Sequence, residues 1–157
     1  LLSFESGIDV LEQIYKEKPD LKVGNLVYKV TGTELEDRVE DIGISDKALF
    51  RYASLTPWLA LNEDNYSVFK KMGSFQDKKD FLAKILIGNL LSLSKNLNLQ
   101  IRTVISLKLN SYTEIDVKAG QLPMLGFKVI YESNYKLPIF VGVGKLVSKG
   151  FGIMKLQ

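Results

Sequence analysis

The stretch DKKDFLAKILIGNLLSLSKNL, Asp77 to Leu97, decides the fold. Leu82, Leu86, Leu90, Leu93 and Leu97 recur at intervals of four, four, three and four, flanked by Phe81 and Ile85, and this repeat predicts one long amphipathic helix. Asn89, Ser92 and Lys95 fall on a polar face opposite the leucines. Gly88 sits inside the helix at a cost of up to about 1 kcal/mol against alanine, so it is expected to permit a close approach, to a sheet below rather than to a ligand above.

Downstream the pattern turns to strands. Ile101–Leu109 and Glu114–Lys118 read as strand segments around Asn110-Ser111, followed by Met124–Glu132, Ile139–Val143 and Phe151–Leu156. Upstream, Leu1–Phe4 has strand character. Ser6 then caps a helix from Ile8 to about Lys18, and Leu21–Val30 reads as a strand. Thr31–Lys47 is an acidic, solvent-exposed connector. Leu49–Leu61 is a strand bent at Thr56-Pro57, and Asn62–Asn65 opens a short helix through Tyr66, Phe69 and Met72. One long helix among short strands is an α+β architecture.

Composition narrows the chemistry. The 157 residues include no cysteine and no histidine, which excludes disulfides, thiolate metal sites, Ser-His-Asp triads and histidine-bound zinc. The longest apolar run, Phe81–Leu93, is interrupted by Lys84 and Asn89 and is too short for a membrane span, so a cytoplasmic protein without a membrane partner is expected. The net charge of +3 conceals an asymmetry: residues 1–76 carry a balance of −4 and residues 77–157 a balance of +7. A basic half suits a polyanion such as nucleic acid; unpartnered surface lysine is the plain alternative.

The segment Gly142-Val143-Gly144-Lys145-Leu146-Val147-Ser148-Lys149-Gly150-Phe151-Gly152 holds four glycines in eleven residues. Such a loop can bring backbone N–H groups close to an anion, while Lys145, Ser148 and Lys149 add cations and a hydroxyl suited to a phosphate backbone. The spacing is neither a Walker loop nor a dinucleotide fingerprint. A pair of tight turns between strands is the reading without a ligand.

This segment, closing on Ser148-Lys149-Gly150-Phe151-Gly152, resembles the glycine-rich C-terminal motif of the CRISPR-associated repeat-processing endoribonucleases of the RAMP superfamily. Leu55-Thr56-Pro57-Trp58-Leu59-Ala60-Leu61-Asn62 and Ile85-Leu86-Ile87-Gly88-Asn89-Leu90-Leu91-Ser92-Leu93-Ser94-Lys95 resemble central blocks of its subtype b. The resemblance covers about Ser54 to Leu156. It implies two ferredoxin-like β-α-β-β-α-β units, with residues 51–157 forming a complete C-terminal RNA-binding unit and residues 1–50 half of an N-terminal unit plus a connector. The family's catalytic histidines usually lie in the opening region that would be missing, and the chain begins at Leu1 rather than methionine; truncation and a non-catalytic member both fit.

The function implied is binding of CRISPR repeat RNA and its metal-independent cleavage by attack of a 2′-hydroxyl. The alternative is an RNA-holding scaffold subunit. No cofactor and no metal are expected, and no catalytic residue is assigned. The candidate RNA-binding residues are Gly142, Gly144, Lys145, Ser148, Lys149, Gly150, Phe151 and Gly152 in the loop, with Asn89, Ser92 and Lys95 on the helix. Trp58 and Phe151 are candidates for base stacking, with a core role favoured for Trp58. Tyr28 and Tyr52 are candidates to orient a proton, with a buried structural role favoured for both. Other CRISPR effector subunits or a second copy of the chain are further candidate partners.

Overall fold

The computed structural model describes residues 7–17, 20–32, 34, 36 and 39–157, so the strand expected at Leu1–Phe4 lies outside the described residues. The chain divides into two compact units, one ending at Val39 and one beginning at Glu40. In the first, α1 (Ile8–Glu17) precedes the antiparallel pair β1 (Leu21–Val23) and β2 (Leu26–Tyr28). The single strand expected over Leu21–Val30 is therefore a hairpin. Gly24 at φ +60° and Asn25 form the turn, and glycine at the first of the two positions supplies the left-handed backbone it needs. None of the described side chains of this unit is buried.

The second unit contains a four-stranded antiparallel sheet in the order β5 (Leu107–Ala119), β6 (Leu122–Ser133), β4 (Phe50–Ser54), β8 (Met154–Leu156). With strands numbered from β4, this is the 2-3-1-4 order of a ferredoxin-like sheet. A two-residue pairing of β3 (Gly43–Ile44) with β7 (Tyr135–Lys136) stands apart from it. Helices α2 (Glu63–Lys71) and α3 (Phe75–Asn96) together fill the first crossover. Asn62 caps α2 by accepting from the Asn65 N–H at 2.7 Å, and Ser74 caps α3 by accepting from Asp77 at 3.3 Å. The second helix of the β-α-β-β-α-β plan is absent among the described residues. Its place in the chain order is taken by the glycine-rich segment and a single 3-10 turn at Val147–Lys149.

The leucine face of α3 is the core. Leu82, Leu86 and Leu90 are fully buried against β-strand residues including Leu109, Phe127, Val129 and Tyr131. Burial of each contributes ~1.5–3 kcal/mol. Ser94 continues the buried face because its hydroxyl donates to the Leu90 carbonyl at 2.9 Å and lies 2.6 Å from Tyr135 Oη. Leu93 and Leu97 are only half-buried.

Five further strand expectations need correction. Phe151–Leu156 is a strand only over Met154–Leu156. The two segments around Asn110-Ser111 form one continuous strand, with a register shift between Leu109 and Ser111 absorbing Asn110. Ile101–Ser106 lies outside that strand. Leu49–Leu61 is a strand only over Phe50–Ser54; after the Pro57 bend it returns to the sheet through an isolated bridge from Trp58 to Phe127. Ile139–Val143 forms a turn joined to Ile153 by a bridge at Gly142, not a strand.

Gly88 is also corrected. It is exposed, and a Cβ built there would meet nothing within 4 Å, so no sheet approaches it. Gly88→Ala is expected to stabilise the protein by about 0.5–1 kcal/mol, raising Tm by ~1–4 °C. A fall in Tm in a thermal melt would show that this residue is closely approached after all.

Candidate nucleic-acid interface

The site is assembled on Trp58. Proline at position 57 bends the chain out of β4, and Trp58 then exchanges both backbone hydrogen bonds with Phe127, at 2.8 and 2.9 Å. Its indole is completely buried. A buried indole N–H requires an acceptor, and Asn89 Oδ1 on α3 supplies it at 3.0 Å. The favoured core role for Trp58 is therefore what the structure shows, and Asn89 faces inward rather than lying wholly on a solvated face.

The glycine-rich loop is laid along residues 55–59. Leu55 N–H donates to Ile153, Ile153 N–H to Thr56 Oγ1, Gly152 N–H to Pro57 and Lys145 N–H to Leu59, at 2.8 to 3.2 Å. Two glycines make this contact possible. A Cβ on Gly144, whose φ is +95°, would lie 2.7 Å from Trp58 Nε1, and one on Gly152, at φ +71°, would overlap the Val143 carbonyl oxygen. The loop and α3 thus meet at one atom: Trp58 Nε1 donates to Asn89 and is covered by Gly144.

The remaining predicted residues point elsewhere. Lys145, Ser148, Lys149 and Gly150 are exposed, and Gly142 and Phe151 are half-buried. Leu146 at φ +55° and Gly150 at φ +85° bracket the 3-10 turn that carries Ser148 and Lys149. The amides of Val143, Lys145, Lys149, Gly150, Phe151 and Gly152 are all engaged in bonds within the protein. Those six amides are closed to an anion, whereas the lysine side chains and the serine hydroxyl are exposed to it. Ser92 and Lys95 are exposed on the next two turns of α3 beyond Asn89.

Electrostatics leave these cations uncompensated. Among the described residues, Glu114 takes Lys70 and Lys78, Glu132 takes Arg51, and Asp41 takes Lys136. Lys145, Lys149 and Lys95 have no ion-pair partner there.

The buried tyrosines do not offer a base near neutral pH. Tyr52 is buried, accepts the Leu137 N–H at 2.8 Å and stacks on Tyr131. Burial raises the phenol pKa of Tyr52, Tyr131 and Tyr135, so all three remain protonated. Tyr28 departs from expectation: it is half exposed in β2 rather than buried.

The family model described as the Cas6b C-terminal domain matches residues 44–157, which include β4, α3 and the glycine-rich loop. The chain belongs to the Cas6b C-terminal domain family. A crystal structure of Cas6b superimposes with a TM-score of 0.90 at 33% identity, covering 98% of this chain and 70% of that one. A second, described as the CRISPR RNA processing endoribonuclease Cas6b, gives 0.83 at 30% identity, covering 98% and 73%. An uncharacterised protein of Methanocaldococcus jannaschii is 34% identical over 133 residues, 85% of this chain and 89% of its own length. The Cas6b-like fold therefore extends over nearly the whole chain.

Sequence reasoning missed the Trp58–Asn89 contact, although a tryptophan after a proline and an asparagine on a leucine-rich helix were both visible. Asn89→Ala is expected to leave the indole N–H buried without an acceptor and to cost ~1–3 kcal/mol. Asn89→Asp, which keeps an acceptor oxygen, should cost less in urea denaturation. Equal stability of Asn89→Ala and the parent chain would contradict this role.

Proposed function

We propose that this chain binds CRISPR repeat RNA and serves its processing into guide RNAs, with residues 51–157 as the RNA-binding domain. The observation that carries the reading is the unpaired set Lys145, Lys149 and Lys95, displayed on a loop and a helix joined at Trp58. Membership of the Cas6b family and the activity of one structural relative, CRISPR RNA processing, supply the ligand. Among the described residues no helix is long and apolar enough to cross a membrane. The reading places the chain in the cytoplasm, with the repeat transcript.

In the cleavage this reading implies, the 2′-oxygen beside the scissile phosphate attacks phosphorus and the 5′-oxygen leaves. The products are a 2′,3′-cyclic phosphate and a 5′-hydroxyl. A base must take the 2′ proton, an acid must give one to the leaving oxygen, and cations must stabilise the charge on the phosphorane. Lys145 and Lys149 suit the last task. With no histidine in the sequence and its buried tyrosines held protonated, a second reading gains support. In it this chain holds the RNA for other subunits of a CRISPR complex.

The test is binding of end-labelled repeat RNA in EDTA. A Lys145→Ala/Lys149→Ala double variant is expected to lose affinity and to flatten the slope of log K against log salt by nearly two. Cleavage at one position by the parent chain supports processing by these residues; a shift without cleavage supports the RNA-holding reading. Unchanged affinity of the double variant would remove the loop from the binding surface.

A further inference from the structure

The segment leading into the glycine-rich loop carries an aromatic residue in a conformation that aromatic residues avoid. Pro138-Ile139-Phe140-Val141 is a turn closed by the Val141 N–H on the Pro138 carbonyl at 3.4 Å. Phe140 has φ +62°, whereas Ile139 is not among the positive-φ residues. This is the pattern of a type II turn, whose third position favours glycine or asparagine because a Cβ there crowds the backbone.

No aromatic or cation contact explains why phenylalanine occupies it. Phe140 is 47% exposed, and among the described residues its ring touches no other aromatic ring and no cation. Residues held in disfavoured backbone regions concentrate at ligand sites, where the surroundings over-determine them. Here the turn is held at both ends: Pro138 accepts the Val141 N–H, and Val141 in turn accepts the Met154 N–H at 3.1 Å.

Position supplies the ligand. Phe140 stands two residues before Gly142, which is bridged to Ile153 and lies directly against Val147 of the 3-10 turn that carries Lys149. Surfaces for single-stranded nucleic acid combine a basic track with an aromatic face on which a base stacks. The basic track is in place, but Trp58 is fully buried and Phe151 is half-buried with its N–H tied to Leu146. Phe140 presents the more open ring.

We propose that Phe140 is a stacking platform for an unpaired RNA base entering beside the glycine-rich loop. The proposal rests on the RNA-binding reading above, and its test separates the two. Phe140→Asn supplies a residue that tolerates the left-handed conformation, while Phe140→Trp keeps an aromatic face. Binding to fluorescein-labelled single-stranded repeat RNA is measured by anisotropy over a range of salt, alongside thermal melts.

Phe140→Asn is expected to weaken binding ~5- to 150-fold, the range of one lost base stack. The salt slope should remain unchanged, because no charge is removed. Its Tm should equal or exceed that of the parent, since the backbone conformation suits asparagine better. Phe140→Trp should bind at least as tightly as the parent. Parent-like RNA affinity in Phe140→Asn would overturn the proposal and point to a protein partner for this ring. A lowered Tm in Phe140→Asn would overturn it in favour of a packing role. If Lys145→Ala/Lys149→Ala loses affinity while Phe140→Asn does not, only the platform falls. If the parent chain fails to bind the RNA, the RNA-binding reading falls as well.

Discussion

A fully buried tryptophan must satisfy its one polar atom, and in this chain that requirement ties four parts of the second unit together. Trp58 reaches the sheet through paired backbone bonds to Phe127 and reaches α3 through Asn89. Gly144 then closes over the same nitrogen, and the loop's amides fasten to Pro57 and Leu59. The position of the basic loop relative to the helix is thereby set by one indole and its surroundings. A hydrogen bond of this kind contributes modestly when made, but it is costly to leave unmade inside a protein.

This gives the glycine motif two separable roles. Gly144 and Gly152 serve close packing of the protein on itself, because a Cβ at either position would collide with the indole or with a carbonyl oxygen. Between them, the 3-10 turn lifts Ser148 and Lys149 into solvent. The amides of Val143, Lys145, Lys149, Gly150, Phe151 and Gly152 are engaged within the protein, so the exposed side chains are what the turn offers beyond them. The distribution of acidic residues reinforces the arrangement. Glu114 and Glu132 neutralise lysines and arginine elsewhere on the unit, while Lys145 and Lys149 remain available for a phosphate backbone.

Legibility varied with the kind of signal. Helix α3 was readable because a 3.6-residue repeat over 22 residues leaves few alternatives. Its interior glycine was misread, since a sequence shows that a side chain is missing but not which surface faces the gap. Ile139–Val143 looked like a strand because its residues are apolar and β-branched. Its N-terminal end is instead a turn closed between Pro138 and Val141, with Phe140 in the left-handed region, because β propensity yields to tertiary context. The ferredoxin-like order of strands was accessible only through family resemblance. The replacement of the second helix by a loop was foreshadowed by glycines that disfavour helix.

By itself, the sequence determined the α+β character, the long leucine-faced helix, the basic half and the exclusion of thiol and imidazole chemistry. These depend on composition and local periodicity, which no folding event alters. Only the tertiary structure decided that Asn89 serves Trp58, 31 residues away, and that Lys145 and Lys149 find no ion-pair partner among the described residues. It alone decided that Phe140 stands exposed in a turn built for a smaller residue. The physical reason is common to all three: partners and exposure are set by which distant segments come to share a surface, and residue spacing along the chain carries no record of that.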